Sequence, residues 1–363
     1  MINTGIKYSC NLNIDTSVQC GFYDFEVDYS DIDKFLTNKN NQCTGTQEVN
    51  IAGISISLKN ISEQSFMDAL EKAEKLKCRY LHINTVGCED ETAMLFLNIA
   101  DVCKDTINAK NINICIENNY KIRNGRYLYA NFSDAVQIKE YVNMLNKITG
   151  SELFGACIDI GYANILNMNL RCFIENIGDV IKLMHMNDND GITLQNQMPY
   201  TFTTGRGTLS TDWFRVIGAL VRNKFHGGII FNTIGLIDRT PLELQQTMLT
   251  LLKVIEKEWS EQFEFEDKLR NAKYIVLFGA GKMAQNYMEE WGNRYKPAFF
   301  ADNNSSAWGE MRMGVEIKTP DEILKLPEQE RLVLICNLFY DEVGEQLESM
   351  GIQYDCYWDR YYL

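Results

Sequence analysis

From the N-terminus to about residue 235 the sequence repeats one rhythm: a short apolar run rich in β-formers, a polar turn, then a helical pattern. Eight such runs follow in order, IKYSCNL, FYDFEVDY, GISISL, YLHINT, INICIEN, FGACIDI, VIKLMHMND and GGIIFNT. Between several of them lie segments such as SFMDALEKAEKLK, ETAMLFLNIADVCKDTI, DAVQIKEYVNMLNKI and STDWFRVIGALVRNK. Their apolar residues recur at three- and four-residue steps, which predicts amphipathic helices. Near-continuous apolar strands alternating with such helices predict a parallel sheet covered on its outer face, and closure into a (β/α)8 TIM barrel is the economical solution.

The segment PLELQQTMLTLLKVIEKEWSEQFEFEDKLRN predicts a long last helix running into a linker, opened by Pro241 where a missing N–H does no harm. After it, KYIVLFGAGKMAQNYMEEW restarts a strand, glycine turn and helix, and PAFFADNN, LVLICNL and YDCYWD supply further strands. A chain of 363 residues is long for one core. The expected organisation is a barrel over 1–262 and a small Rossmann-like α/β domain over 270–363.

Charge and cysteine usage narrow the partners. A formal net charge of −14, with no offsetting Lys/Arg cluster, repels phosphate backbones, so no nucleic-acid partner is expected. No uninterrupted apolar run is long enough to cross a bilayer, so no membrane partner is expected. MINTGIKYSC lacks a basic region followed by an apolar core, so a cytoplasmic protein is expected. The 11 cysteines stand singly with no CxxC pair, which reads as reduced, buried small apolar residues.

In a barrel, ligands sit where strands end, so the residues closing the strands carry the chemistry. Glu117 closes INICIEN, Asp159 closes FGACIDI, His185 stands in VIKLMHMND and Asn232 in GGIIFNT. Carboxylates at a barrel mouth must be hydrogen-bonded, paired or bound to a cation. Two carboxylates, an imidazole and an amide oxygen at four consecutive strand ends suit a divalent ion such as Mn²⁺, Mg²⁺ or Zn²⁺.

The order of Glu in IEN, Asp in DIG, His in HMNDNDG, a GRG segment (Gly205 to Gly207) and then HGGIIFN resembles the xylose isomerase-like barrel superfamily of sugar-phosphate isomerases and epimerases. The resemblance covers most of residues 1 to 262. It implies one divalent ion held by a Glu, an Asp, a His and a second Glu, chelating adjacent oxygens of a ketose or aldose. On that basis Glu117, Asp159 and His185 match ligand positions, and Asp188 and Gly205 to Gly207 match the surrounding loops.

Two departures stand out. The second Glu is Asn232 here, and the His that commonly follows the Asp-x-Gly segment is Tyr162. Isomerisation through an enediolate needs an acid and a base about the reacting carbon, and Asn coordinates but takes no proton. Glu117 and His185 are the catalytic candidates. His82, sharing a strand face with Asn84, Arg206 within GRG, and Asp188 are candidates for the substrate; Asp188 and Asp190 equally suit a solvated turn, and His226 a surface turn. The expectation is a metal-dependent isomerase, epimerase or related lyase on a carbohydrate, or a barrel that has lost catalysis and serves as a sugar-binding scaffold. DNA-repair relatives with His-rich zinc sites are disfavoured by three histidines and the acidic charge.

In the C-terminal part, YIVLFGAGKMA reads as strand, GxGxxA turn and helix. Gly279 permits the turn, Gly281 lets the backbone approach a pyrophosphate, and Asp302 is placed to accept from ribose hydroxyls. The segment ADNNSSAWGEMRMGVEIKTPDEI resembles small Rossmann-like units attached to sugar acyltransferases and glycosyltransferases. That resemblance implies a nucleotide or nucleotide-sugar ligand, with docking or formation of a homo-oligomer as the alternative.

Overall fold

The computed structural model describes residues 3–42, 48–202 and 211–357. The chain divides into two compact units, Met1–Phe263 and Glu264–Leu363. Arg206 and the segment Gly205 to Gly207 lie outside the described residues.

The first unit is a closed barrel of eight parallel strands: β1 (Asn3–Lys7), β2 (Asp24–Asp28), β3 (Asn50–Ser57), β4 (Tyr80–Asn84), β5 (Asn113–Glu117), β6 (Phe154–Asp159), β7 (Ile181–Met186) and β8 (Gly228–Phe231). Neighbours in sequence are neighbours in the sheet, and β8 closes on β1 with Asn3 opposite Gly228.

Several barrel helices combine an apolar stripe with a side-chain cap. Asp134 accepts from the N–H groups of Val136 and Gln137 at the start of helix Ala135–Thr149, and Gly150 ends it at φ 66°. Helix Trp213–Arg222 buries Trp213, Val216, Ile217 and Leu220, and Trp213 stacks on Trp259 at 5.6 Å. No described helix is long and apolar enough to cross a membrane.

The first strand begins and ends earlier than IKYSCNL suggests, covering Asn3–Lys7 only. Asn13 takes over as a helix cap, accepting from Thr16 N at 2.9 Å, and Ser9 hydrogen-bonds Asp238, so SCNLN is drawn into a βα loop. The segment ETAMLFLNIADVCKDTI is two helices, Asp90–Val102 and Lys104–Lys110, broken at Cys103.

Inside the barrel the side chains form layers, as alternation along each strand requires. Tyr80, Cys115, Cys157, Leu183 and Ile230 make an apolar layer. The Tyr80 ring occupies the space beside Gly228, where a β-carbon would stand 2.8 Å from its Cε2. One alternation further along the strands come Lys7, Glu26, His82, Glu117 and His185, all buried. This charged layer lies at the carboxyl end of the strands.

The second unit has a sheet of six strands, β9 (Tyr274–Phe278), β10 (Phe299–Ala301), β11 (Met311–Arg312), β12 (Val315–Lys318), β13 (Arg331–Ile335) and β14 (Asp355–Cys356). Their order is β11-β12-β10-β9-β13-β14, parallel throughout except for the β11–β12 hairpin at one edge. That hairpin, within GEMRMGVEIK, adds strands beyond the runs visible in the sequence. Val276, Phe278, Phe299, Val333, Ile335 and Leu347 lie in its core.

Candidate metal centre and its surroundings

Glu117 and Asp159 are the last residues of β5 and β6 and His185 the last but one of β7, three adjacent staves, so their side chains enter the barrel side by side. Glu117 Oε1 lies 2.9 Å from His185 Nδ1, and Asp159 Oδ2 lies 3.8 Å from the same nitrogen. All three residues are buried. Asn232, just past β8, donates through Nδ2 to Asp159 Oδ2 at 3.1 Å. Asn187 Nδ2 and Tyr162 N donate to Asp159 Oδ1 at 2.8 and 3.1 Å. Asp159 thus accepts three hydrogen bonds, and the four strand-end residues form one connected cluster.

His82 enters from β4 on the other side. Its Nε2 is 3.3 Å from Glu117 Oε1 and its Nδ1 is 3.4 Å from Glu26 Oε1. Glu26, from β2, also receives His185 Nε2 on Oε2 at 2.9 Å and Lys7 Nζ on Oε1 at 3.2 Å. The result is a closed ring of alternating groups, Glu26, His185, Glu117, His82 and back to Glu26. The two imidazoles meet edge to face at 4.6 Å between centroids. Asn84 Nδ2 donates to the free oxygen of Glu117 at 2.6 Å.

The electrostatics follow from burial set against neighbouring charge. Burial pushes the Glu117 carboxyl up, but the His82 charge and the hydrogen bond from His185 bring it down to about 2. Glu26 behaves alike: burial opposes ionisation, and His185, Lys7 and His82 hold it well below the usual carboxylate range. Burial also opposes a charged His185, yet Glu26 and Glu117 among its neighbours keep its proton affinity well above that of a free imidazole. Asp159 differs. Burial and then the Glu117 charge push its carboxyl up to about 6.

The donor set fits a divalent cation. His82, Glu117, Cys157 and His185 each offer a ligand atom, and these atoms lie within 4.8 Å of one another. Both His82 nitrogens are buried without a well-formed hydrogen bond. Oxygen, nitrogen and sulfur donors gathered this closely in a buried site are a set that a first-row divalent ion accepts.

Other residues singled out in the sequence sit as follows. Asp188 is stapled into its own loop, pairing its backbone with Gln197 and accepting from Asn189 N and Phe202 N. Asp190 caps the turn at Ile192 and Thr193. His226 is exposed. Sequence reasoning missed Glu26, Lys7 and Cys157. A charge inside a strand whose immediate neighbours are apolar, as Glu26 is between Phe25 and Val27, was the available signal, because both faces of a helix-covered barrel strand are otherwise apolar.

In the second unit, Gly279 adopts φ +110°, and a β-carbon there would stand 2.8 Å from Cys336 O. Gly281 precedes helix Lys282–Glu290, and a β-carbon added to it meets nothing within 4 Å. A cavity of about 600 Å³ opens at the carboxyl ends of β9, β10 and β13, lined by Gly279, Gly281, Asp302, Asn337, Phe339 and Gln346 among others. Asp302 Oδ2 accepts from Ala280 N at 3.2 Å.

Among solved structures, the chain is similar to an L-ribulose 3-epimerase, at 13% identity and TM-score 0.54, over 75% of this chain and 99% of that one. It is similar to a D-psicose 3-epimerase with D-tagatose from Clostridium cellulolyticum H10, at 12% identity and TM-score 0.51, over 71% and 99%. A third is the IOLI protein with a binding zinc atom, at 15% identity and TM-score 0.50, over 70% and 99%. No protein-family model matches the sequence, and no curated protein matches it. At these identities the likeness is one of fold: the first unit is an eight-stranded parallel barrel of the kind on which those sugar epimerases are built.

Proposed function

We propose that the barrel is a metal-dependent epimerase or isomerase acting on a sugar or sugar derivative. The convergence of Glu117, Asp159 and His185 on one point at the carboxyl end of the barrel carries the reading. The sugar epimerases and the zinc-binding protein that share the fold support it. Glu117 and His185 would hold the cation, with Asp159 the next nearest carboxylate and Asn232 tied to Asp159. A bound divalent ion would polarise the sugar carbonyl and stabilise negative charge developing on it.

The chain's own groups divide the remaining work. A carboxylate held near 2, as Glu117 is, stays ionised and binds protons weakly, which suits ligation. Asp159, buried beside Glu117 and 3.8 Å from His185, is the carboxyl placed for acid–base transfer at a carbon next to a carbonyl. Asn187, Tyr162 N and Asn232 fix its orientation. The test is incubation of metal-loaded protein with ketopentoses and ketohexoses in D₂O. Deuterium should enter at the carbon next to the carbonyl, and Asp159→Asn should lower that rate at least a hundredfold. No exchange with any such sugar would count for the second reading, a carbohydrate-binding barrel without catalysis, which Asn232 in place of a second carboxylate favours.

For the second unit we propose a Rossmann-like nucleotide or nucleotide-sugar site in the cavity beside Gly281. Its strand order places the cavity where β10, β9 and β13 diverge, the place at which open α/β sheets bind ligands. Gly281 leaves room for close backbone approach that the fold itself does not use. A rise in melting temperature with a UDP-sugar or NAD, absent with free sugar, is the expected result.

A further inference from the structure

Asn232 spends its amide N–H on Asp159, and Asp159 is occupied by three donors. The better-placed groups stand on the opposite wall. Glu26 lies behind both imidazoles, one oxygen to each: Oε2 to His185 Nε2 at 2.9 Å and Oε1 to His82 Nδ1 at 3.4 Å. When a cation takes the other ring nitrogen, a carboxylate in that place receives the remaining N–H of each imidazole. Those two nitrogens, His185 Nδ1 and His82 Nε2, approach the same oxygen, Glu117 Oε1, at 2.9 and 3.3 Å.

Without a metal, protons on the imidazoles bridge these contacts to Glu26 and Glu117; with one, the two imidazoles and the carboxylate turn lone pairs toward a common ion. Separations near 3 Å are those of neighbouring ligands about one ion with bonds of about 2.0–2.3 Å. Cys157 brings its sulfur into the same cluster, within 4.8 Å of the other donors. It stands two residues before Asp159 on β6, one layer deeper, and a coordinating thiol gives up its proton.

We infer that the barrel holds its cation in a nitrogen, oxygen and sulfur pocket made by His82, Glu117, Cys157 and His185, a donor set that selects Zn²⁺ over Mg²⁺ or Mn²⁺. The inference rests on the proposed metal-dependent reading and changes its donors: His82 and Cys157 coordinate, Asp159 does not. Glu26, neutralised by Lys7, is the positioning residue that sets both tautomers.

The experiment uses the full chain, stripped with a chelator and reloaded with Co²⁺ as a spectroscopic probe, then with Zn²⁺ in competition with Mn²⁺. The expected result is one metal per chain, a near-ultraviolet sulfur-to-cobalt charge-transfer band in the unmutated protein, and preference for Zn²⁺ over Mn²⁺ of at least a hundredfold. Cys157→Ser should abolish the band while cobalt stays bound, and His82→Gln should weaken Zn²⁺ binding at least tenfold with the circular dichroism spectrum unchanged. The unmutated protein decides the sulfur question even if a variant fails to fold. Cobalt bound without the band, lost in Asp159→Asn but not in His82→Gln, would overturn this donor set and leave the metal-dependent reading standing. No stoichiometric binding of Co²⁺, Zn²⁺ or Mn²⁺ would overturn both, leaving the ring as a network of imidazolium and carboxylate.

Discussion

Glu26 Oε2 lies 2.9 Å from His185 Nε2, although 159 residues separate the two in sequence. The contact joins β2 to β7 through the middle of the barrel, and Lys7 holds the other Glu26 oxygen. Removing one member of a buried ionic set leaves the rest uncompensated, which costs more than the set contributes. Glu26→Gln should therefore destabilise the metal-free protein by roughly 3–5 kcal/mol in urea titration. Replacing Lys7 and Glu26 together, with Met and Leu, should recover much of that loss; an additive loss in the double variant would contradict a shared ion pair.

Asp159 sets a pH dependence of known sign. Its carboxyl titrates near 3.9 when unfolded and at about 6 in the fold. Between these values the folded chain keeps a proton that the unfolded chain has released, so stability falls as pH rises from about 4 to about 6 and is level outside that window. The full effect is about 3 kcal/mol. Asp159→Asn lacks it. The stability of chelator-treated wild type relative to this variant should thus drop by that amount between pH 4 and pH 7, and a constant difference would show that Asp159 titrates normally.

Metal removal should be visible in the melting temperature. Zinc at a hundred times its dissociation constant stabilises by about 2.7 kcal/mol, roughly 5–10 °C for a protein unit of this size. Differential scanning calorimetry with and without chelator should show that drop in the wild type. In Glu117→Gln, which removes a charged ligand at the point where His82 and His185 meet, chelator should change nothing.

The two glycines of the C-terminal turn make a matched pair. Gly279→Ala should cost about 1–3 kcal/mol, since φ is +110° and the new carbon would press on Cys336 O. Gly281→Ala should leave folding within about 0.5 kcal/mol yet weaken nucleotide-sugar binding at least tenfold by calorimetric titration. Equal binding by the Gly281 variant would place any ligand elsewhere.

How much of this the sequence disclosed depends on which interactions decide each residue. The eight barrel runs were legible because strands buried on both faces must be apolar along their length. Glu117, Asp159 and His185 were legible because they close such runs. Asn232 stood out as a departure, but not the direction of its amide, which the geometry of Asp159 sets. Glu26 lay unread inside FYDFEVDY because its partner His185 is distant in sequence and only closure of the barrel brings it near, and Lys7 inside IKYSCNL because its partner is Glu26 on the neighbouring strand. Cys157 read as one more small buried residue, since nothing local distinguishes it from Cys115 in the same layer.

The apolar layer of Tyr80, Cys115, Cys157, Leu183 and Ile230 stoppers the barrel beneath its charged ring. On the proposed reading, ion, proton and sugar would then all come and go by the mouth at the strands' carboxyl ends. Loading the centre and releasing a product would then compete for one doorway, which would make the order of arrival part of the chemistry.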